Sequence, residues 1–213
     1  MVTVDSCIVS GMRAVPNNES RWRSEPKGRK CRNFFQYLKN QELEVQCERT
    51  FDWLFHPRSS ERLLAETAVF EALVDHCART RNQDARKACC DPQTLLSDAA
   101  MNGRRRRLEF DFFLPEVGIA IEFDERQHFT AERAITFQHY GDTVCHFDVS
   151  RWQAMCSSAV RDPDPPCRDW ERAFRDAVRD IRAARGGVAL YRVYYKDEPS
   201  EAIAKIIEKL RRV

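Results

Sequence analysis

Acidic side chains alternate with large apolar ones along residues 109–124, and this segment holds the residues best able to do chemistry. Residues 115–118 predict a turn between two strands, which sets the pairing on either side. One face of the predicted hairpin then carries three apolar pairs: Leu114 with Ile119, Phe112 with Ile121, and Phe110 with Phe123. The opposite face carries two acidic pairs: Asp111 with Glu122, and Glu109 with Asp124.

The opposed carboxylates predict a metal site. Side chains directly opposite each other in a hairpin lie about 4.5–5.5 Å apart at Cβ, and like charges there destabilise the sheet. A divalent cation would compensate this repulsion, and oxygen ligands favour Mg²⁺ or Mn²⁺ over a softer metal. A register shift of one residue would remove the prediction, because it would turn the phenylalanines outward.

Two other interpretations of the same acids stay open. A solvated sheet face would also be polar, although it does not explain why acids rather than Thr, Lys or Arg fill opposed positions. Two carboxylates about 5–5.5 Å apart could also be the pair of a retaining glycosidase. The sequence shows no evident aromatic cleft for a sugar, which argues against a carbohydrate hydrolase.

The hairpin resembles a known family of enzymes. The segments Phe-Asp-Phe-Phe-Leu-Pro-Glu (110–116), Ala-Ile-Glu-Phe-Asp (120–124) and Gln-His-Phe (127–129) are similar to the motif of the restriction-endonuclease-like PD-(D/E)XK nuclease superfamily. The nearest branch is that of the very-short-patch-repair-like, homing and phage endonucleases, whose pattern runs F-D-F-x-x-P and then I-E-x-D-G-x-Q-H. Residues 48–54 and 180–195 extend the resemblance weakly.

This resemblance implies a DNA endonuclease that hydrolyses phosphodiester bonds with a bound Mg²⁺ or Mn²⁺ ion. Asp111 and Glu122 would hold the metal, and the backbone carbonyl of Phe123 would be a further ligand. The metal would lower the pKa of a bound water and stabilise charge on the scissile phosphate.

The resemblance also implies roles for three residues near the end of the second strand. Asp124 stands where many relatives carry a lysine; it could bind a second ion or orient the attacking water, but it cannot supply the positive charge. Gln127 and His128 follow within reach of the strand end. His128 is the better candidate for proton transfer, because histidine titrates near neutral pH, although a structural histidine fits equally.

The chain departs from the family pattern in ways that leave a second function open. Glu125 stands where glycine is common, and it could repel phosphate. Relatives often place a glutamate on the first helix, where this chain has Arg29 or Lys30; Glu61 or Glu66 could substitute. A catalytically inactive nucleic-acid-binding or structural protein that retains the fold is therefore the alternative.

Four consecutive arginines precede the hairpin and are the candidate DNA contacts: Arg104, Arg105, Arg106 and Arg107. Arginine binds phosphate through two parallel hydrogen bonds, so this run would hold the DNA backbone beside the metal. A solvated loop end is the alternative.

A second arginine-rich segment, residues 168–185, predicts an amphipathic helix with a clear apolar stripe. Its predicted outward residues are six arginines and three acids: Arg168, Arg172, Arg175, Arg179, Arg182, Arg185, Glu171, Asp176 and Asp180. The pairs Glu171–Arg175 and Asp176–Arg179 favour ordinary surface salt bridges on this helix.

The remaining elements predict an α/β fold, a restriction-endonuclease-like core in the order αβββαβ, with a small mixed central sheet flanked by helices. Residues 1–25 are interpreted as a flexible arm and residues 26–213 as one domain with insertions at about 58–103 and 129–167. Helices are expected at 27–40, from 59 or 60 to about 78, at 168–185 and from 199 onward. Strands are expected at 44–51, 106–114, 117–124 and 188–195.

Composition excludes several classes of protein. Among the 213 residues, Lys and Arg number 35 and Asp and Glu 33, so the formal net charge of +2 excludes a uniformly polybasic protein. No apolar run approaches the ~20 residues of a membrane span, and residues 1–16 lack the pattern of a secretory signal. Nine cysteines without a C-x-x-C pair favour a reducing intracellular compartment.

Overall fold

The computed structural model describes residues 22–26, 29–80, 106–158 and 166–210. These ranges contain six α-helices and four strands, in this order: α1 (Arg29–Lys39), β1 (Gln46–Phe55), α2 (Leu64–Thr80), β2 (Arg107–Leu114), β3 (Ile119–Asp124), α3 (Ala131–Thr136), α4 (Val149–Ser158), α5 (Pro166–Arg185), β4 (Ala189–Tyr194) and α6 (Pro199–Leu210). The predicted helices and strands therefore exist, with bounds that differ by a few residues.

The four strands form one mixed sheet in the order β1-β2-β3-β4. Strands β1, β2 and β3 pair antiparallel, whereas β4 pairs with β3 in parallel after the crossover through α5. All six residues of β3 are buried, because the strand is central and both faces of the sheet are covered. The prediction of an α/β fold with a small mixed sheet flanked by helices is confirmed.

Apolar side chains form a core on each face of the sheet. On one face, Phe34 and Leu38 of α1 and Ile203 and Ile206 of α6 pack against Phe112, Leu114, Ile119 and Ile121. On the other face, α2, α4 and α5 pack against Leu108, Phe110, Phe113 and Ala120. The apolar stripe of α5 lies in this second core, where Trp170 and Phe174 are fully buried.

The segment after β3 carries short elements that its sequence does not indicate. A 3-10 turn at Arg126–His128 leads to α3, whose N-cap Thr130 accepts a 3.2 Å hydrogen bond from the backbone N of Arg133. A second 3-10 turn follows at Phe137–His139, before α4. Such short helices show little periodicity, so their positions depend on tertiary packing.

The predicted assignment of side chains to the two faces of the hairpin is correct from Phe112 to Ile121 and wrong on the other side of Asp111, at Phe110. Phe112 pairs with Ile121 and Leu114 with Ile119, as predicted. Phe110, however, lies in the opposite core from Phe123. The alternation breaks between the β1–β2 pairs Cys47–Phe112 and Arg49–Phe110, where Glu48 has a φ of +51°. This left-handed conformation is uncommon for a non-glycine residue and marks the reversal of faces.

Parts of the predicted arm and insertions lie outside the described residues, namely 1–21, 81–105 and 159–165. The last residues of the predicted arm are not free, because Arg23 forms a β-bridge with Cys47 through backbone hydrogen bonds of 2.7 and 2.9 Å. The Arg23 side chain also binds Glu48, with 2.9 Å between Nε and Oε2. This contact anchors the chain beside β1.

Two negative findings concern the described ranges. None of their helices combines the length and apolar character that a membrane crossing needs. Five cysteines within them are free thiols: Cys31, Cys47, Cys77, Cys145 and Cys156.

Candidate active site

Asp111 and Glu122 lie side by side where β2 and β3 separate. The regular pairing of the two strands ends at Phe112 and Ile121. Beyond this point each acid binds the backbone of the other strand: Glu122 Oε1 accepts from Asp111 N at 3.3 Å, and Asp111 Oδ2 accepts from Phe123 N at 2.8 Å. The two carboxylates therefore replace the next hydrogen bonds of the ladder.

Burial raises the pKa of both carboxyl groups. For Asp111 the effect of burial exceeds the opposing effects of the Phe123 N–H and of Arg179. For Glu122, only 3% exposed, the pKa lies well above its ordinary range because burial and the Asp111 charge outweigh Arg179. A positive charge beside the two acids would favour their charged forms at neutral pH.

Arg179 of α5 supplies a positive charge beside this pair. Its Nε lies 3.6 Å from Glu122 Oε1 and donates a 2.9 Å hydrogen bond to the backbone carbonyl of Glu109. The predicted pair with Asp176 is present, at 3.2 Å, but it is not on the surface, because the Asp176 side chain is buried. Arg179 was expected on a solvated face, and its contact with Glu122 is visible only in the tertiary structure.

His128 and Asp176 form a hydrogen-bonded pair next to the acids. The distance from His128 Nδ1 to Asp176 Oδ2 is 2.8 Å, and Asp124 Oδ1 is 3.7 Å from the same nitrogen. Burial alone would lower the pKa of His128, but the charge and hydrogen bond of Asp176 raise it. In turn, the charge and hydrogen bond of His128 hold the pKa of Asp176 well below its usual range, although burial alone would raise it.

Asp124 belongs to a buried network rather than to the acidic face of the hairpin. Its Oδ1 binds Arg192 of β4 at 2.7 Å, and its Oδ2 accepts from Trp152 Nε1 at 2.7 Å. The predicted pairing of Glu109 with Asp124 is wrong, because the two strands separate before reaching these residues. Both oxygens of Asp124 therefore have a structural partner.

The network continues into α5 and α3. Asp180 binds Arg192 Nε at 2.8 Å and Arg133 at 2.6 Å, and it accepts from the Tyr140 hydroxyl at 2.6 Å. The prediction that Asp176 and Asp180 face outward is wrong, since both are buried. Arg182 is buried as well, in an ion pair with Glu66. The sequence of this helix does not indicate that these residues are buried, because their partners lie on elements that are distant in the sequence.

Gln127 and Glu125 contact each other at the end of β3. Gln127 Nε2 donates to Glu125 Oε2 at 3.3 Å, and the Gln127 backbone carbonyl accepts from Arg172 of α5 at 3.0 Å. Glu125, which stands where the nuclease pattern commonly has glycine, therefore binds Gln127. Its charge still acts nearby, because Asp111, Glu125 and Glu122 all help burial to raise the pKa of the Cys31 thiol to about 12.

The two glutamates considered as substitute ligands lie in other contacts. Glu66 is fully buried and binds Arg182 of α5, with 2.5 Å between Oε1 and Nε. Its Oε2 accepts from Leu63 N at 2.9 Å. Glu61 accepts from the backbone N of Arg58 at 3.1 Å. These bonds fix the start of α2, so Glu66 has a structural role.

Two of the four candidate DNA-binding arginines are described. Arg106 binds Glu171 of α5 at 3.2 Å, and Arg107 binds Asp52 at 3.3 Å. Both arginine side chains stay partly exposed, at 59% and 40%. Arg104 and Arg105 lie outside the described residues.

The acid pair fits one type of metal ion better than others. Among the residues that the structure describes, no group of three or more His, Cys, Asp and Glu side chains is arranged to hold a metal. Mg²⁺ commonly binds one or two carboxylates and keeps several waters, so Asp111 and Glu122 suffice for it.

Comparisons of the chain with protein-family models, with curated proteins and with solved structures found no match.

Proposed function

We propose that this protein is a metal-dependent DNA endonuclease. The observation that carries the proposal is the placement of Asp111, half-buried, and Glu122, buried, whose carboxylates each bind the backbone of the opposite strand at the open end of a β-hairpin. Burial raises the pKa of both groups, so a bound cation would favour their charged forms. The strand order, with β4 parallel to β3, is compatible with the αβββαβ core that the hairpin motif implies.

The residues around the pair have complementary roles in the proposal. Asp111 and Glu122 hold Mg²⁺ or Mn²⁺, and the Phe123 carbonyl is the further ligand that the resemblance implies. The bound metal supplies an activated water and neutralises charge on the scissile phosphate. Arg179 takes the place of the lysine that Asp124 does not provide, because it brings a fixed positive charge to Glu122.

His128 is the proposed proton-transfer residue. Asp176 fixes one ring nitrogen, Nδ1, and thereby orients the ring, as a carboxylate does for many catalytic histidines. Gln127 and Asp124 support the site indirectly: the first through Arg172 and the second through Arg192. The five free thiols agree with a reducing intracellular compartment, which is part of the proposal.

The alternative is a catalytically inactive nucleic-acid-binding or structural protein. One observation favours it: Asp111 and Glu122 already satisfy backbone N–H groups, so the pair has a structural use without any metal. The engagement of both Asp124 oxygens points the same way. A cleavage assay separates the two functions.

The first test is cleavage of supercoiled plasmid DNA in Mg²⁺ or Mn²⁺ by the full chain. We expect nicking or cutting that EDTA abolishes, and a loss of at least about a hundredfold in Asp111→Asn and Glu122→Gln, because a catalytic metal contributes several kcal/mol. Glu116→Gln is the matched control, since this exposed acid lies in the turn of the same hairpin. It should cut like the wild type.

The result that contradicts the proposal is equally clear. DNA binding without cleavage, across both metals and across supercoiled, linear and single-stranded DNA, would favour the inactive alternative. Cleavage that survives in both Asp111→Asn and Glu122→Gln would move the active site elsewhere.

A further inference from the structure

A positively charged site lies on α5 one helical turn before Arg179, the arginine beside the acid pair. Arg106, just before β2, binds Glu171 Oε1 at 3.2 Å, and Arg175 Nη2 binds the same oxygen. Two guanidinium groups thus share one carboxylate. The other acid acting on Arg175, Asp176, is already bound to His128 and Arg179. The site therefore has an excess of positive charge.

Arg175 has an unused hydrogen-bond donor in this site. Its Nε is buried and has no acceptor among the described residues. A buried donor without a partner costs about 1–3 kcal/mol, so the hydrogen-bonding capacity of Arg175 is not fully used within the described residues. Burial and the charges of Arg106 and Arg179 also lower the pKa of Arg175 to about 9, which reflects how closely the arginines crowd one another.

The site is aligned with the acid pair. Helix α5 runs alongside β2, because Glu171 contacts Arg106 before the strand and Arg179 contacts the Glu109 carbonyl within it. Arg175 precedes Arg179 by four residues, which is a rise of about 6 Å along the helix. Since successive phosphates of a DNA strand rise by about 3.4 Å, this separation corresponds to roughly one or two nucleotides.

We propose that Arg106 and Arg175 bind a second phosphodiester of the substrate strand, one or two nucleotides from the phosphate held at Asp111 and Glu122. The guanidinium groups of the two arginines bind the phosphate oxygens. The strand then follows α5 from Arg175 toward Arg179. This inference rests on the proposed function for the position of the cleaved bond, but the phosphate site itself needs no catalysis.

The test is the binding of a short fluorescein-labelled DNA duplex to the full chain in EDTA, by anisotropy at several salt concentrations. We expect Arg175→Gln to weaken binding about tenfold, the equivalent of one charge-assisted hydrogen bond. The slope of log affinity against log salt should fall by about one, because one phosphate contact is lost. Arg106→Gln should behave alike, and its 59% exposure means that the fold is not at risk.

Arg185→Gln is the matched control. Arg185 is exposed on the same helix, and it lies ten residues, or about 15 Å, beyond Arg175. This variant removes the same charge, but if the position of the charge matters and not the net charge, its affinity should stay within about twofold of the wild type and its salt slope should not change.

Three outcomes separate this inference from the endonuclease proposal. If Arg106→Gln and Arg175→Gln bind DNA like Arg185→Gln, the second phosphate site is wrong even where the wild type cuts plasmid. If both variants lose affinity as expected but the wild type never cuts with Mg²⁺ or Mn²⁺, the phosphate site stands and the endonuclease proposal fails. A wild type that neither binds nor cuts DNA overturns both.

Discussion

Identical side chains in this protein differ in chemistry because their neighbours differ. His128 lies against the Asp176 carboxylate, which raises its pKa, whereas His56 is buried next to arginines. Burial and the charges of Arg175, Arg62 and Arg106 lower the pKa of His56 to about 4. One histidine is therefore suited to hold a proton near neutral pH and the other is not.

Histidine titration by NMR tests this difference. We expect His128 to titrate above about 6.5, the ordinary value, and His56 well below it. Since the folded-state pKa of His128 is raised, its contribution to stability is complete below about 6.5 and is lost as pH rises through the raised value. The lowered pKa of Asp176 has the opposite effect: its contribution to stability is present at neutral pH and is lost as pH falls below about 4. A His128 that titrates below 6.5 would contradict the ion pair.

At the scale of elements, the hairpin combines a regular part with an open end. Its paired part buries phenylalanine, isoleucine and leucine, whereas its open end replaces two ladder bonds with carboxylate contacts. Helix α5 covers this end with Arg179 and Asp176, and residues 126–128 turn His128 back toward them. The open end thus exchanges stability for a charged site, a common feature of functional sites.

The variant Glu122→Gln tests how much stability the charge of Glu122 costs. The raised pKa of Glu122 means that its contribution to stability is present at low pH and is lost as pH rises above 4.5, so the charged form destabilises the apo-protein at neutral pH. We expect the variant to melt a few degrees higher than the wild type, the equivalent of about 1 kcal/mol. Arg179 keeps its bonds to Asp176 and to the Glu109 carbonyl.

Calorimetry with and without Mg²⁺ completes that measurement. If the proposed site binds Mg²⁺ in the folded state, the ion should raise the melting temperature of the wild type but not that of Glu122→Gln. Glu116→Gln should melt like the wild type and keep the response to Mg²⁺. A lower melting temperature for Glu122→Gln, together with no Mg²⁺ effect on the wild type, would argue that the pair is purely structural.

At the scale of the whole molecule, a buried polar network joins the sheet to the helices on one face. Arg192 of β4 lies at its centre, fully buried, and it binds Asp124 of β3 and Asp180 of α5. Arg133 and Tyr140 connect Asp180 to the segment around α3, and Trp152 connects Asp124 to α4. A network in which each member has a partner rigidifies the elements that carry the site.

Unfolding in urea tests the weight of this network. Arg192→Met leaves Asp124 and Asp180 without their shared cation, so we expect a loss of about 3–5 kcal/mol in the free energy of unfolding. Arg151→Met is the control, because it also removes an Arg–Asp pair, with Asp197, but at a site where the arginine is 41% exposed. Such a pair contributes at most about 1 kcal/mol. Equal losses in the two variants would contradict the prediction.

The sequence by itself predicted the four strands, four of the six described α-helices and the facing positions of Asp111 and Glu122. Period-two alternation and a turn predicted the hairpin, and helical periodicity predicted α1, α5 and α6, since these signals depend on neighbours within a few residues. The predicted register placed two pairs of opposed acids on one face, where like charges are costly, and the resemblance to the nuclease motif singled out Asp111 and Glu122. The arginine run before β2 was equally visible, although only Arg106 and Arg107 are described.

Only the tertiary structure decided which charged groups surround that pair. Asp176 lies 48 residues from His128, and Arg179 lies 70 residues from Glu109, so no local pattern could connect them. The same long-range packing buried Asp124, Asp176 and Asp180 and turned Phe110 to the other core. Charges on a helix surface look alike in a sequence, and their roles depend on which partners the fold brings within hydrogen-bond distance.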